Sequence, residues 1–306
     1  LDNRNITLDA GLEGLYRLVV RDARTDEIRR DTGWFKNLIL DSGLNRLGTG
    51  TAVGYMQIGT GSTAPNVSDV ALATWSASTS DLQTGFPATA NSGSPLYISS
   101  KTWKYRFNAG SLNGNYTEVG IGWASTGNLF SRALILDGGG SPTTISIGPT
   151  EYLDVYYVVR NVPDLTDKTT SVVIGGVTYS CIRRPGQVNA YWSPSIDVVA
   201  KWGLYTGFVN NFTAYTGTLG PITGTPSGTS STPYGAAAQN AYASNSYECT
   251  GIISVGLNDL NVAGGIKSLL IYSQYCCYQY QFDIPIPKDA TKVMTLSGKM
   301  TWARLP

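Results

Sequence analysis

Residues Asn115–Pro163 read NYTEVGIGWASTGNLFSRALILDGGGSPTTISIGPTEYLDVYYVVRNVP. Short apolar runs alternate here with glycine punctuation, the pattern of strands joined by tight turns. Glu118–Gly122, Leu129–Leu136, Thr143–Ile147 and Tyr152–Arg160 are expected strands. Gly138-Gly139-Gly140-Ser141-Pro142 turns the chain between the second and third, because glycine accepts positive φ and Pro142 cannot extend the preceding strand. Tyr152–Arg160 is apolar on both faces, as a central strand is. Four such segments in under fifty residues predict an all-β fold of antiparallel sandwiches, jelly-roll-like.

The flanks extend the same reading. Tyr16, Leu18 and Val20 alternate with Arg17, Val19 and Arg21, and Glu27–Phe35 returns as the second arm of a hairpin. Leu40, Leu44 and Leu47 make an i, i+4, i+7 stripe ahead of Gly48, so one short helix is expected near 37–47, plugging a sheet. Thr84–Pro95 reads as a loop. Trp103, Tyr105 and Phe107 form one face of a half-buried strand. Gly175-Gly176 sits between two β runs as a hairpin turn, and Asp197–Tyr205 reads as a strand. Pro163 is the best boundary, giving an N-terminal β-sandwich domain (1–163) and a C-terminal β domain (164–306); one continuous unit is the alternative. The Gly- and Ser-rich stretch 217–246 is too long for an ordinary connection. It is expected to be an arm docked on a neighbouring subunit, with disorder as the competing reading. Ile266–Phe282 and Lys292–Arg304 close the chain as strands.

Composition narrows the function. Of 306 residues, 42% are hydrophobic and only 14% charged, and the formal net charge is +1. A nucleic-acid binder would carry a basic surplus, so none is expected. No run approaches a membrane span, and the N-terminus lacks a signal-peptide pattern. Low net charge makes self-association less costly, which points to a homo-oligomer. Cys181, Cys249, Cys276 and Cys277 lack metal-ligand spacing and read as small buried hydrophobes.

The chain contains no histidine. That excludes Ser-His-Asp and Cys-His dyads and the commonest zinc ligand. Neither cofactor nor metal is expected, and no catalytic residue is assigned. What remains for catalysis is a carboxylate pair of the glycosidase type, drawn from Glu118, Asp137, Glu151 and Asp154. The plainer reading pairs each with a neighbour such as Arg132 or Arg160. Gly59-Thr60-Gly61-Ser62-Thr63-Ala64 matches a G-x-G-x-x-A dinucleotide fingerprint. Pro65-Asn66 interrupts the helix that should follow, and the next helical candidate, Ser68–Trp75, is very short, so the loop reading wins. Fourteen of the nineteen tyrosines follow residue 150. Tyr275, Tyr278 and Tyr280 are the candidates for a glycan-binding face, against packing as the plainer role.

Several of these stretches resemble a family of tailed-bacteriophage virion proteins, the minor tail or tail-fibre-associated proteins. The likeness lies in EVGIG (118–122) with NLFSRALILD (128–137), and in PTTISIGPTEYLDVYYVVR (142–160). It extends to GLYRLVVRDARTDEIRRDTGWFKNLILDSGLNRLG (14–48) and YQYQFDIPIPKDATKVMTLSGKMTWAR (278–304); residues 164–265 carry little of it. The resemblance implies a non-enzymatic virion part in the tail tip, baseplate or fibre attachment region, assembled in a bacterial cytoplasm. Its implied partners are itself, other tail proteins, and a host receptor or glycan. A capsid decoration or collar protein is the alternative within the virion.

Overall fold

The computed structural model describes residues 5–88, 96, 99–187, 212–233, 235–272 and 277–306. The strand expected at Asp197–Tyr205 lies outside them, as do Tyr275 and Cys276. In chain order the elements begin with β1 (Ile6–Asp22), β2 (Ile28–Asp31), β3 (Phe35–Lys36), β4 (Leu38–Ile39) and the helix α1 (Asp41–Leu47). Next come β5 (Tyr55–Gly59), β6 (Trp75–Thr79), β7 (Leu82–Ala88), β8 (Ser99–Phe107), β9 (Gly114–Tyr116), β10 (Glu118–Gly122) and β11 (Leu129–Leu134). β12 (Ile145–Ile147), β13 (Glu151–Asn161), β14 (Lys168–Ile174), β15 (Val177–Pro185) and β16 (Phe212–Tyr215) follow. The chain ends with β17 (Ser230–Ser231), β18 (Gly235–Gln239), β19 (Glu248–Val255), β20 (Ile266–Tyr272), β21 (Cys277–Ile286) and β22 (Met294–Arg304).

The fold is all-β, as the sequence predicts. A nine-stranded sheet runs β18-β19-β22-β1-β13-β8-β7, with β2 and β3 added to β1. A five-stranded sheet, β4-β11-β10-β5-β6, packs on one face of it, and a six-stranded sheet, β14-β15-β21-β20-β16-β17, covers its other end. Pairing is antiparallel except between β1 and β22, which run parallel from Ile6↔Gly298 to Leu12↔Arg304. β18, β19 and β22 come from beyond residue 163, so hydrogen bonding is continuous across that position within one sheet.

Alternation decides the inward faces. Tyr16, Leu18 and Val20 of β1, Trp103 and Tyr105 of β8, and Val155 and Tyr157 of β13 are buried. They meet Met56, Val119, Ile121 and Phe130 of the smaller sheet in one core. Tyr157 lies at its centre, with Tyr16 at 4.8 Å, Trp103 at 6.0 Å and Phe130 at 6.3 Å between ring centroids. Tyr16 Oη and Ser131 Oγ share a hydrogen bond of 2.8 Å between the two sheets, so a polar tip inside the core is satisfied.

Two local expectations are corrected, and the loop reading after Gly59 is kept. The helix is shorter than 37–47, because Leu38 and Ile39 pair with Arg132 and Ser131 as β4 and helical geometry begins at Asp41. Thr84–Ala88 belongs to β7 rather than to a loop. No helix forms between Ser68 and Trp75; turns lead into β6 there. Described parts of segment 217–246 contact the same chain. The Leu219 and Gly220 amides donate to Gln281 Oε1 and Gln279 Oε1, Ser268 Oγ donates to the Gly217 carbonyl, and Tyr242 stacks on Trp302. The glutamines of the Tyr-Gln-Tyr-Gln run in β21 thus supply the acceptors that fix the loop. Among the described residues no helix is long and apolar enough to cross a membrane.

Candidate functional site

Glu118 is the most deeply engaged of the candidate carboxylates, at 0% exposure. Its Oε1 accepts from the Gly61 amide at 2.9 Å and the Thr74 amide at 2.7 Å. Its Oε2 accepts from the Ala73 amide at 3.0 Å and from Arg132 Nε at 3.0 Å. A carboxylate offers about four lone-pair sites, and here all four are used. Arg132, equally buried, spends its other nitrogens on Asp69 Oδ2 and the Thr63 carbonyl. The Gly59–Ala64 loop therefore wraps an internal ion pair, and the Gly61 amide is committed to Glu118. Glycine is required at 61, since a Cβ there would stand 2.4 Å from Glu118 Oε1.

Asp154 occupies the outer face of the nine-stranded sheet, also with 0% exposure. Arg106 grips it bidentately, Nε to Oδ1 at 2.7 Å and Nη2 to Oδ2 at 2.9 Å. Lys104 Nζ lies 2.8 Å from Oδ2, and Arg21 Nε lies 4.0 Å from it. Three cations thus converge on one carboxylate.

The remaining two carboxylates hold backbone. Asp137 Oδ1 accepts from the Gly139 and Ser141 amides, fixing the turn in which Gly140 takes φ +82°. Glu151 accepts from the Gly148 amide and from Arg30, and together these hold its carboxyl below the usual range despite partial burial. Arg160 pairs with Glu13 across β1 and β13. Each of the four carboxylates is thus engaged by its own donors.

Tyr278 and Tyr280 share a face of β21, as alternation predicts, and both are buried. Tyr280 Oη accepts from the Thr7 amide and donates to the Thr7 carbonyl. Tyr278 Oη donates to the Asp9 carbonyl at 2.8 Å, and its ring lies under the Arg183 guanidinium at 4.7 Å. Both rings clamp the start of β1 to the six-stranded sheet and leave no stacking face for a sugar. Burial raises the Tyr280 phenol to about 12.

Cys181, Cys249 and Cys277 are buried, and burial pushes the Cys181 thiol up to about 12, far from the thiolate a nucleophile needs. Among the described residues no group of three or more Cys, Asp or Glu side chains is placed to hold a metal ion. The sequence reading passed over the aromatic and cationic outer face of β1, β13 and β8. Its signal was the row of Arg17, Arg21, Lys104 and Arg106 at alternate positions opposite the core residues. No family model matches the chain, and neither a curated protein nor a solved structure matches it.

Proposed function

We propose that this protein is a non-enzymatic structural component of a bacteriophage tail, in the tail tip, baseplate or fibre attachment region, and that it assembles as a symmetric oligomer. The observation that carries this reading is where the phage-like stretches fall. They supply β1 to α1, β10 to β13, and β21 to β22, which include the central strands of the nine-stranded sheet and the middle of the five-stranded one. The likeness therefore lies in the framework rather than in loops.

Two further features support it. Glu118 and Asp154, the buried carboxylates among the candidates, are held by cations or backbone amides, which suits a role in tying strands together better than acid–base work. Val255 pairs with Met294, which brings Leu257 and Val293 to one end of the β19–β22 pair, and both are exposed. Apolar side chains left at a sheet end suit coverage by another subunit. The mass of the full chain in solution tests the assembly: a closed oligomer at micromolar concentration is expected, and a strict monomer contradicts the reading.

A further inference from the structure

The outer face of β1, β13 and β8, extended by β3, carries a continuous row of rings and cations. Strand register places Arg17 opposite Tyr156, and Tyr156 opposite Lys104. The Arg17 guanidinium lies 5.9 Å and Lys104 Nζ 5.6 Å from the Tyr156 ring centroid, on opposite flanks. Trp34, 47% exposed, meets the same ring edge-on at 6.3 Å. The adjacent row is Lys36, Leu15, Val158 and Thr102. In it Leu15, Val158 and Thr102 are half-buried and Lys36 is exposed.

Charge on this face is not balanced. Five cations, Lys36, Arg17, Arg21, Lys104 and Arg106, meet three carboxylates, Asp26, Asp31 and Asp154. The surplus of two exceeds the +1 of the whole chain. Lys36 has no ion-pair partner among the described residues, and Lys104 shares one carboxylate with two arginines. At the hairpin tip, Arg29 pairs with Asp22 and Glu27, and Arg30 with Glu151.

We propose that this face binds an acidic polysaccharide, a polymer of sugars bearing carboxylate groups. A pyranose ring presents an apolar C–H face that stacks on indole, and exposed Trp34 supplies that surface with little entropy to lose, while Tyr156, flanked by Arg17 and Lys104, holds the two cations beside it. Lys36 and Lys104 lie on strands three apart, about 14 Å at the usual strand spacing, so they suit acid groups repeated along an extended chain. An acidic peptide fits less well. β1, β13 and β8 are interior strands whose main-chain groups already pair with neighbours, so strand addition is confined to the two-residue edge strand β3. The inference stands independently of where the protein sits in a particle.

The test titrates the full chain with oligomers of polygalacturonate, with neutral dextran and with poly-glutamate at low ionic strength. The expected result is binding of the polyuronate, weakened by added salt, and none of dextran. Trp34→Ala and Lys36→Glu should each weaken it about tenfold, while Val177→Ser, at the exposed start of β15 in the six-stranded sheet, leaves it unchanged. Trp34 and Lys36 are surface positions, and an unaltered thermal midpoint shows that each variant folds; if one does not, the other carries the test. The proposal is overturned if polyuronate does not bind, if dextran binds equally, or if both variants bind like the parent. Poly-glutamate binding as tightly as the polyuronate, with no effect of Trp34→Ala, overturns the saccharide assignment and leaves charge alone.

Discussion

Glu118 and Arg132 show what a buried charge costs and how this chain meets it. Taking both ions out of water is unfavourable by several kcal/mol each. The cost is offset by four donors on Glu118 and by Asp69 and Thr63 on Arg132. Glu118→Gln keeps the shape but places an amide group where Oε2 accepts from Ala73 and Arg132, setting donor against donor. A loss of about 3–5 kcal/mol is expected, read from the denaturant midpoint, and Arg132→Met should cost a similar amount. The two together should cost less than the sum, since each alone strands its partner. In the sequence, the acid, the arginine and the Gly-rich loop were all visible as separate features. Their union was not, because Glu118 and Gly61 are 57 residues apart and only the β10–β5 pairing brings them together. The parity of Tyr278 and Tyr280 was legible from alternation alone. Their burial was not, since it depends on β1 lying across them.

At the scale of elements, strands with strict alternation were legible and weakly patterned ones were not. Met294, Leu296, Gly298, Met300 and Trp302 are buried along β22, within the strand expected at Lys292–Arg304. β7 and β18 went unread because LQTGFPA and GAAAQ carry little apolar periodicity. β19 did carry a signal, with Cys249, Gly251, Ile253 and Val255 inward, hidden by the Gly- and Ser-rich run before it. The helix was legible through its leucine stripe, but its docking was not. Gly43 lies against β11 so closely that a Cβ would stand 2.2 Å from the Phe130 carbonyl oxygen. Trp302 Nε1 donates to the Leu44 carbonyl from the other side, at 2.8 Å. Gly43→Ala must therefore move the helix off β11, although alanine favours helices. A loss of about 1–3 kcal/mol is expected by thermal or denaturant unfolding, and a neutral or stabilised variant would contradict this docking.

Across the whole molecule, charge is arranged to hold strands together, and this sets the response to pH. Asp22 is held at about 2 by Arg29 and the Thr25 and Arg24 amides, and Asp164 at about 2 by Thr166 and Lys168. Arg17 lowers Asp31, and Arg184 lowers Asp167. A carboxylate depressed in the folded state adds stability above its unfolded value, near 3.9, and that stability disappears as pH falls through the folded value. Buried Tyr280 and Tyr152, both raised to about 12 chiefly by burial, act at the other end. Their contribution is intact below the unfolded value near 10 and is lost as pH rises beyond it. With no histidine in the chain, the melting temperature should be flat from about pH 5 to 8 and should fall below about pH 4 and above about pH 10. A midpoint that changes steeply near pH 6 would contradict this. The function proposed for this framework is that of a structural part of a phage tail. Electron microscopy of phage particles assembled from the genome that encodes this chain, labelled with antibody raised against it, tests that claim most directly. Label confined to the tail at its tip, baseplate or fibre attachment is the predicted result; label on the head, or particles that carry none, would contradict it.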